Sequence, residues 1–392
     1  MKKVAFITSS LANGGAERNI INLSLNLSRK KYRTEIISFT NKNDYMNEYG
    51  RKMSRLKITT LLKQKKLITR TQKIIQGPFL VVRMLQAIKK EKYSLLIAAH
   101  EYNTFYLTVL SSKLIGCKSM LIVGNNIYED LKTKHFPIRM YHNACLWFSF
   151  RLTDTIICVS KGLKTDLKKQ YGIPLRKIEV IYNGVNISAS IFEKTSKTHK
   201  AIKIITVGRL IERKGHAHLF KIIKYLIESE QLDIKLTIIG SGMLQNNFKK
   251  NISQLNLTSS ITLIPNAEKK LYKLLVNSDI FVLSSYYEGF GNVIIEAMNC
   301  GLPIVSTDCP FGPKEILDKG TYGILTPTLH KESLNEHQLS KEEKLLALAI
   351  KILITNTKKR VYYQNMSLKR AKYFTLQAMT RSYDKAIIKL LN

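Results

Sequence analysis

Long apolar runs are missing from this 392-residue chain. Nothing in it approaches the ~18 consecutive apolar residues of a membrane-spanning helix, so any bilayer contact is expected to be peripheral. The opening run ends within a few residues at Ser9, Ser10 and Asn13, and reads as a first strand, not as a signal peptide. Cysteine is sparse. Cys117, Cys145, Cys158, Cys300 and Cys309 are odd in number and show no C-x-x-C spacing, which argues for free thiols in a reducing cytoplasm and against a disulfide framework or zinc site. Proline is scarce too, 8 residues against 19 glycines, and the hydrophobic share of 45% is that of a folded protein without a disordered segment.

Acidic residues are the other deficit: 28 Asp and Glu face 63 Lys and Arg, for a formal charge of +35. Between Arg51 and Lys92 stand thirteen basic residues and one acid, Glu91, interleaved with Leu61, Leu62, Ile74, Ile75, Phe79, Leu80 and Met84. That mixture suits an anionic membrane surface. Nucleic acid is not expected as a partner, because no RNP-like strand, zinc-finger spacing or basic region leading into heptads accompanies the charge.

What the chain does contain is a repeated alternation of short β-branched apolar runs and amphipathic stretches, the pattern of parallel strands covered by helices on both faces. The class is α/β. One strand series runs through Lys3–Thr8, Thr34–Phe39, Leu56–Thr60, Leu95–Ala99, Met120–Val123, Thr155–Val159 and Ile178–Ile181. A second runs through Ile202–Val207, Lys235–Ile239, Ser260–Ile264, Ile280–Leu283, Ile304–Ser306 and Tyr322–Leu325. Two series imply two doubly wound domains with ligand loops at the carboxyl ends of their strands. The turn-rich Tyr182–Asn186 and the polar stretch Ser188–Lys200 mark the boundary, and the chain is helical from about Lys341 onward.

Three loops carry chemistry. Gly14 and Gly15 open a helix after the first strand, where backbone amides and a helix N-terminus suit a phosphate or simply make a tight turn. Arg209 and Lys214 follow the strand ending at Val207, where two cations can neutralise a departing diphosphate. Ser284 to Met298 reads as strand, glycine loop and helix. It carries Glu288 in the loop and Glu296 one helical turn after Asn292, so both carboxylates could serve one cleft and accept sugar or ribose hydroxyls.

Glu288 and Glu296 stand in the E-x7-E spacing of retaining GT-B glycosyltransferases of family 4, and the chain resembles that family at several further places in the right order. These are Gly14–Arg18, Tyr182–Val185, Val207–Arg209 with Lys214–Gly215, and Gly301–Val305; the likeness extends from Met1 to about Pro327. The resemblance implies an α/β GT-B fold of two Rossmann-like domains facing a central cleft. Residues 1–185 would bind acceptor, 186–365 the nucleotide-sugar, and 366–392 would form a C-terminal helix packing back toward the first domain. It further implies catalysis without a metal or other cofactor, and the chain contains no D-x-D.

By the same resemblance Arg209 and Lys214 hold the diphosphate, Gly15 approaches it by backbone, and Gly289, Phe290, Gly291 and Asn292 complete the cradle. Glu296 binds ribose, Glu288 binds the donor sugar, and residues around Ile264–Asn266 border the base. His100 occupies the place of a histidine that relatives present to the donor sugar or acceptor, or else is satisfied by backbone. The stretch Thr307–Leu317 resembles a subgroup that builds bacterial surface polysaccharides such as capsule or O-antigen on lipid diphosphate acceptors. The expected reaction is transfer of a hexose or N-acetylhexosamine from a UDP-sugar to a glycan or polyprenyl-diphosphate-linked acceptor, at the cytoplasmic face of the membrane. A sugar-nucleotide epimerase or phosphorylase on the same fold, and a basic membrane- or nucleic-acid-binding protein without catalysis, are the alternatives.

Overall fold

The computed structural model describes residues 1–12, 14–45, 49–62, 82–99, 102–186, 201–265, 270–331 and 338–392. The chain divides into two compact units, one formed by Met1–Gly184 with Leu376–Asn392 and the other by Val185–Thr375.

The first unit is built on seven strands, β1 Lys2–Thr8, β2 Tyr32–Thr40, β3 Lys57–Leu62, β4 Leu95–Ala98, β5 Lys118–Val123, β6 Thr155–Cys158 and β7 Ile178–Val180. Their spatial order is β3-β2-β1-β4-β5-β6-β7, parallel throughout. The second unit has β8 Ile202–Val207, β9 Ile234–Ile239, β10 Ile261–Ile264, β11 Ile280–Leu283, β12 Ile304–Thr307 and β13 Ile324–Thr326. These are likewise parallel, in the order β10-β9-β8-β11-β12-β13. All thirteen strands expected from the sequence are present. They are legible because central parallel strands are covered on both faces and read as unbroken apolar runs. Ile280, Phe281, Val282 and Leu283 of β11, for example, are all buried.

In each sheet the strand order reverses direction once, between β1 and β4 and between β8 and β11. A crevice opens outside the carboxyl ends of the strands at such a point, because successive loops there turn to opposite faces. The loops singled out for chemistry in the second unit follow β8 and β11, its two switch-point strands.

Three helices close the chain. Lys341–Thr355 starts with a capping box between Ser340 and Glu343, and Asn356 caps Thr357–Ala371 by accepting from the Lys359 amide. Both belong to the second unit, where Leu346, Ile350 and Leu353 join Leu219, Ile222 and Ile223 of the His216–Glu228 helix in one core. The last helix, Leu376–Leu391, belongs to the first unit, with Tyr383 and Ile387 buried. Lys31 bonds Asp384 at 2.8 Å, Lys389 bonds Glu179 at 2.6 Å, and the Lys2 ammonium reaches the Leu391 carbonyl at 2.9 Å. A division at 365/366 therefore falls inside the Thr357–Ala371 helix. The chain changes unit at Thr375/Leu376 instead, after Val185 has hydrogen-bonded Phe374 across 3.0 Å.

Among the described residues no helix is long and apolar enough to cross a membrane. Residues 63–81 of the basic, apolar stretch between Arg51 and Lys92, and all of the Ser188–Lys200 linker, lie outside the described residues.

Candidate active site

The second unit's site grows from two adjacent strand ends. After β8 the chain passes Gly208 and the exposed Arg209, makes a short 3-10 turn at Glu212–Lys214, and enters the His216–Glu228 helix through Gly215. Gly215 has φ +62°, and a Cβ there would lie 2.1 Å from the Ser284 carbonyl oxygen. Only glycine lets the β8 loop pass so close to the end of β11. Around this approach the Tyr286 amide donates to the Arg213 carbonyl at 2.8 Å and the Ser284 hydroxyl to the Lys214 carbonyl at 2.9 Å.

This stitching carries Lys214 onto Glu288. The ammonium lies 2.5 Å from Oε1, and Ser285 donates to the same oxygen at 2.6 Å. Glu288 is itself held at both ends of its peptide: its amide donates to the Pro310 carbonyl at 2.6 Å, and its carbonyl accepts from Phe311 at 3.0 Å. Burial pushes the Glu288 carboxyl up, but the Lys214 charge, the hydrogen bonds from Lys214 and Ser285 and the charge of Arg213 outweigh it. The net displacement is below the ordinary carboxylate range, so the group is ionised.

Beyond Glu288 the loop Gly289-Phe290-Gly291 is buried and turns into the Asn292–Asn299 helix at Gly291, whose φ is +101°. No side chain caps that helix, so the positive end of its dipole is directed at the loop. Glu296, also buried, sits one turn along. Lys214, Glu288 and the loop into Glu296 are thus assembled in the second unit, with Arg209 on the neighbouring loop.

One expected residue, Gly15, belongs to the other unit, and two, His100 and Asn266, fall outside the described residues. Gly15 begins the Gly15–Asn26 helix in the first unit, beside Gly14, whose amide donates to the Tyr45 hydroxyl at 2.7 Å. His100 lies outside the described residues, as does Asn266, while Ile264 ends β10 with its carbonyl bonded to the Gly240 amide at 3.0 Å.

A crevice at a switch point, with a cation, a carboxylate and a helix N-terminus around it, is built to receive a polar, anionic ligand. Comparison with known proteins narrows this. The model of Glycosyltransferase Family 4 matches residues 13–189, and that of Glycosyl transferases group 1 matches residues 188–362. An uncharacterized glycosyltransferase of Methanocaldococcus jannaschii is 30% identical over 336 residues, covering 78% of this chain and 82% of that protein. The chain belongs to the GT-B glycosyltransferases of family 4.

A Campylobacter jejuni relative is N-acetylgalactosamine-N,N'-diacetylbacillosaminyl-diphospho-undecaprenol 4-alpha-N-acetylgalactosaminyltransferase, 26% identical over 99% of this chain and 100% of that one. Among solved structures, Anabaena HepE in complex with UDP-glucose shares the fold with a TM-score of 0.78 at 18% identity, covering 99% of this chain and 100% of that one. Membership in an enzyme family removes the non-catalytic reading of the +35 charge.

In this glycosyltransferase the site also rests on residues that sequence reasoning missed. Ser285 is one, and Arg213, whose guanidinium lies 5.3 Å from the Tyr287 ring centre, is another. Beneath the loops, His218 is fully buried between Glu343 and Tyr286. Its Nδ1 is 2.7 Å from Glu343 Oε1, and its Nε2 is 2.8 Å from the Tyr286 hydroxyl. Lys221 bonds the other Glu343 oxygen at 3.0 Å. Burial raises the Glu343 carboxyl, but His218, the Ser340 amide and Lys221 together hold it below its usual range. An ionised Glu343 assigns the Nδ1 hydrogen to itself and leaves Nε2 to accept from Tyr286 when the ring is neutral. Through His218 the Lys341–Thr355 helix thereby braces the loop that carries Glu288, by a His218–Glu343 contact across 125 residues of sequence that no local pattern spans.

Proposed function

We propose that this glycosyltransferase moves a hexose or N-acetylhexosamine from a UDP-sugar to a glycan or polyprenyl-diphosphate-linked acceptor, with retention at the anomeric carbon. The pathway we propose is synthesis of a bacterial surface polysaccharide, at the cytoplasmic face of the membrane. The observation that carries this reading is the Lys214–Glu288 pair at 2.5 Å, at the switch point of the second unit. The lipid-linked substrate named for the Campylobacter relative and the UDP-glucose in the Anabaena complex support the acceptor and donor classes.

In the unliganded site Glu288 neutralises Lys214, so neither buried charge is left alone. A donor diphosphate supplies a second anion. Lys214 then turns toward the phosphates with Arg209, and Gly15 offers backbone from the first unit. The Glu288 carboxylate, held in place by Ser285 and by its two peptide hydrogen bonds, becomes free to accept hydroxyls of the transferred sugar. The backbone of Gly289, Phe290, Gly291 and Asn292, with the helix that follows, stabilises charge as the diphosphate departs, while Glu296 accepts the ribose hydroxyls. His100 contacts the sugar or acceptor. Position and charge supply the rate, with no metal or other cofactor.

Calorimetry with UDP, GDP and ADP, on the wild type and on Glu296→Ala, tests the reading. UDP is expected to bind best. Losing hydrogen bonds to a charged acceptor, about 1.5–3 kcal/mol, weakens UDP in the variant by roughly tenfold to a hundredfold. Absence of nucleotide binding by folded protein, or an unaltered variant, refutes the donor site. Activity retained in excess chelator, and the anomeric configuration of the product by NMR, test metal independence and retention separately.

A further inference from the structure

The Phe136–Leu152 helix of the first unit is apolar on two faces. Cys145, Leu146, Ser149 and Phe150 form the inner one, with Phe150 edge-on to Phe105 at 6.1 Å. On the outer one, Met140, Tyr141, Trp147, Phe148 and Leu152 recur at helical spacing and are 43% to 57% exposed, with Phe136 at the helix start 63% exposed. Helices with apolar residues all round are normally buried, and a contiguous aromatic surface of this kind marks a docking site.

Charge identifies what docks. The Phe136–Leu152 helix itself carries two basic residues, Arg139 and Arg151, and no Asp or Glu, while Lys132 and Lys134 just before it pair with Glu129 at 2.7 Å and Asp130 at 3.4 Å. Two of the cations lie over the aromatics: Arg151 is 4.3 Å from the Trp147 ring centre and Arg139 is 5.6 Å from that of Phe136. Protein interfaces too are rich in aromatics, Met and Arg, but their fully buried centre is depleted of charge. Tryptophan and tyrosine interleaved with arginine are the composition of a helix lying in the headgroup layer, aromatic rings at the acyl boundary and guanidinium groups on lipid phosphates.

We infer that the outer face of the Phe136–Leu152 helix docks on an anionic lipid bilayer, seating Trp147 and its aromatic neighbours among the headgroups. This deepens the lipid-linked acceptor reading and rests on it for its biological purpose. It also locates the membrane contact on a different element from the Arg51–Lys92 stretch.

Trp147 is the chain's one tryptophan, so its fluorescence reports this face alone. Adding phosphatidylglycerol–phosphatidylethanolamine vesicles to the full-length protein should shift the emission to shorter wavelength, and pure phosphatidylcholine should not. Arg139→Gln with Arg151→Gln should weaken binding to the anionic vesicles by about 30-fold, from about 1 kcal/mol per surface cation. Sedimentation with vesicles without any change at Trp147 would overturn the inference in favour of another surface. An emission shift that needs no vesicles and grows with protein concentration would overturn it in favour of a second copy of the chain. No vesicle binding would also overturn it. UDP calorimetry on the same preparation keeps this outcome separate from the donor reading, since intact UDP binding beside failed docking rejects the docking surface alone.

Discussion

Lys214 and Glu288 retain only 11% and 8% of their side-chain exposure, and each is the other's charge partner. Breaking a buried pair from one side leaves an uncompensated charge and costs about 3–5 kcal/mol, whereas removing both charges together costs much less. Lys214→Met should therefore lower stability by that amount, and Lys214→Met with Glu288→Gln should regain most of it, because glutamine can still accept from Ser285. Urea unfolding of the single and double variants measures the coupling; strictly additive losses would show that the two charges do not support each other. On the proposed function both double and single variants should also lose donor binding, because that reading gives Lys214 to the diphosphate and Glu288 to the sugar.

His216 is a second residue whose effect has a definite sign. It is buried beneath the Gly208–Arg209 turn beside Lys214, with Phe248 edge-on at 6.3 Å, and neither ring nitrogen makes a hydrogen bond of good geometry. Burial first, then the Lys214 charge, pushes its pKa down to about 4; Glu288 and the peptide groups of Gly208 and Arg209 oppose this only in part. The folded state thus favours the neutral ring, and the stability it contributes is complete above the unfolded value of about 6.5 and falls away as pH drops toward 4. Between pH 7 and pH 5 this group should remove about 2 kcal/mol of stability. His216→Leu should lack that component, so the difference between the two proteins' urea midpoints should change with pH; parallel profiles would contradict the assignment.

At the scale of elements, the site depends on how closely the β8 loop passes the end of β11. Gly215→Ala adds a Cβ where the Ser284 carbonyl oxygen is 2.1 Å away, at a backbone φ of +62°. The loops must separate, and the Lys214–Glu288 contact is the first casualty. The expected outcome is a loss of about 2 kcal/mol or more, combining strain and a broken backbone approach, together with weaker UDP binding. Unchanged melting and UDP affinity would mean that the two loops are not coupled. The strands, the glycine loops and the two glutamates were all legible in the sequence, because each depends on a local pattern of apolar runs, turns and helix starts. The Lys214–Glu288 pair was not: its members read separately as a phosphate cation and a sugar carboxylate. What joins them is the adjacency of β8 and β11, and two further strands lie between those in the sequence. The same holds for His218, whose partners come from the β11 loop and from a helix of the C-terminal series.

At the scale of the whole chain, the question is why the last helix belongs to the first unit. It is amphipathic like the two helices before it, only more strongly, and periodicity does not show which unit an apolar face packs on. Packing does. Leu376, Met379, Tyr383, Ala386 and Ile387 are buried, and the ion pairs of Asp384 with Lys31 and of Lys389 with Glu179 hold the second half of the helix. The four larger side chains contribute about 1.5–3 kcal/mol each, so together they approach the whole net stability of about 5–15 kcal/mol that a domain commands. A chain ending at Thr375 keeps every element of the second unit, including both of its C-terminal helices. It should therefore leave the second unit resistant to limited proteolysis while the first unit is digested. Equal resistance of both units would show that the first unit's core closes without the Leu376–Leu391 helix, and that the exchange of chain between units serves something other than its stability.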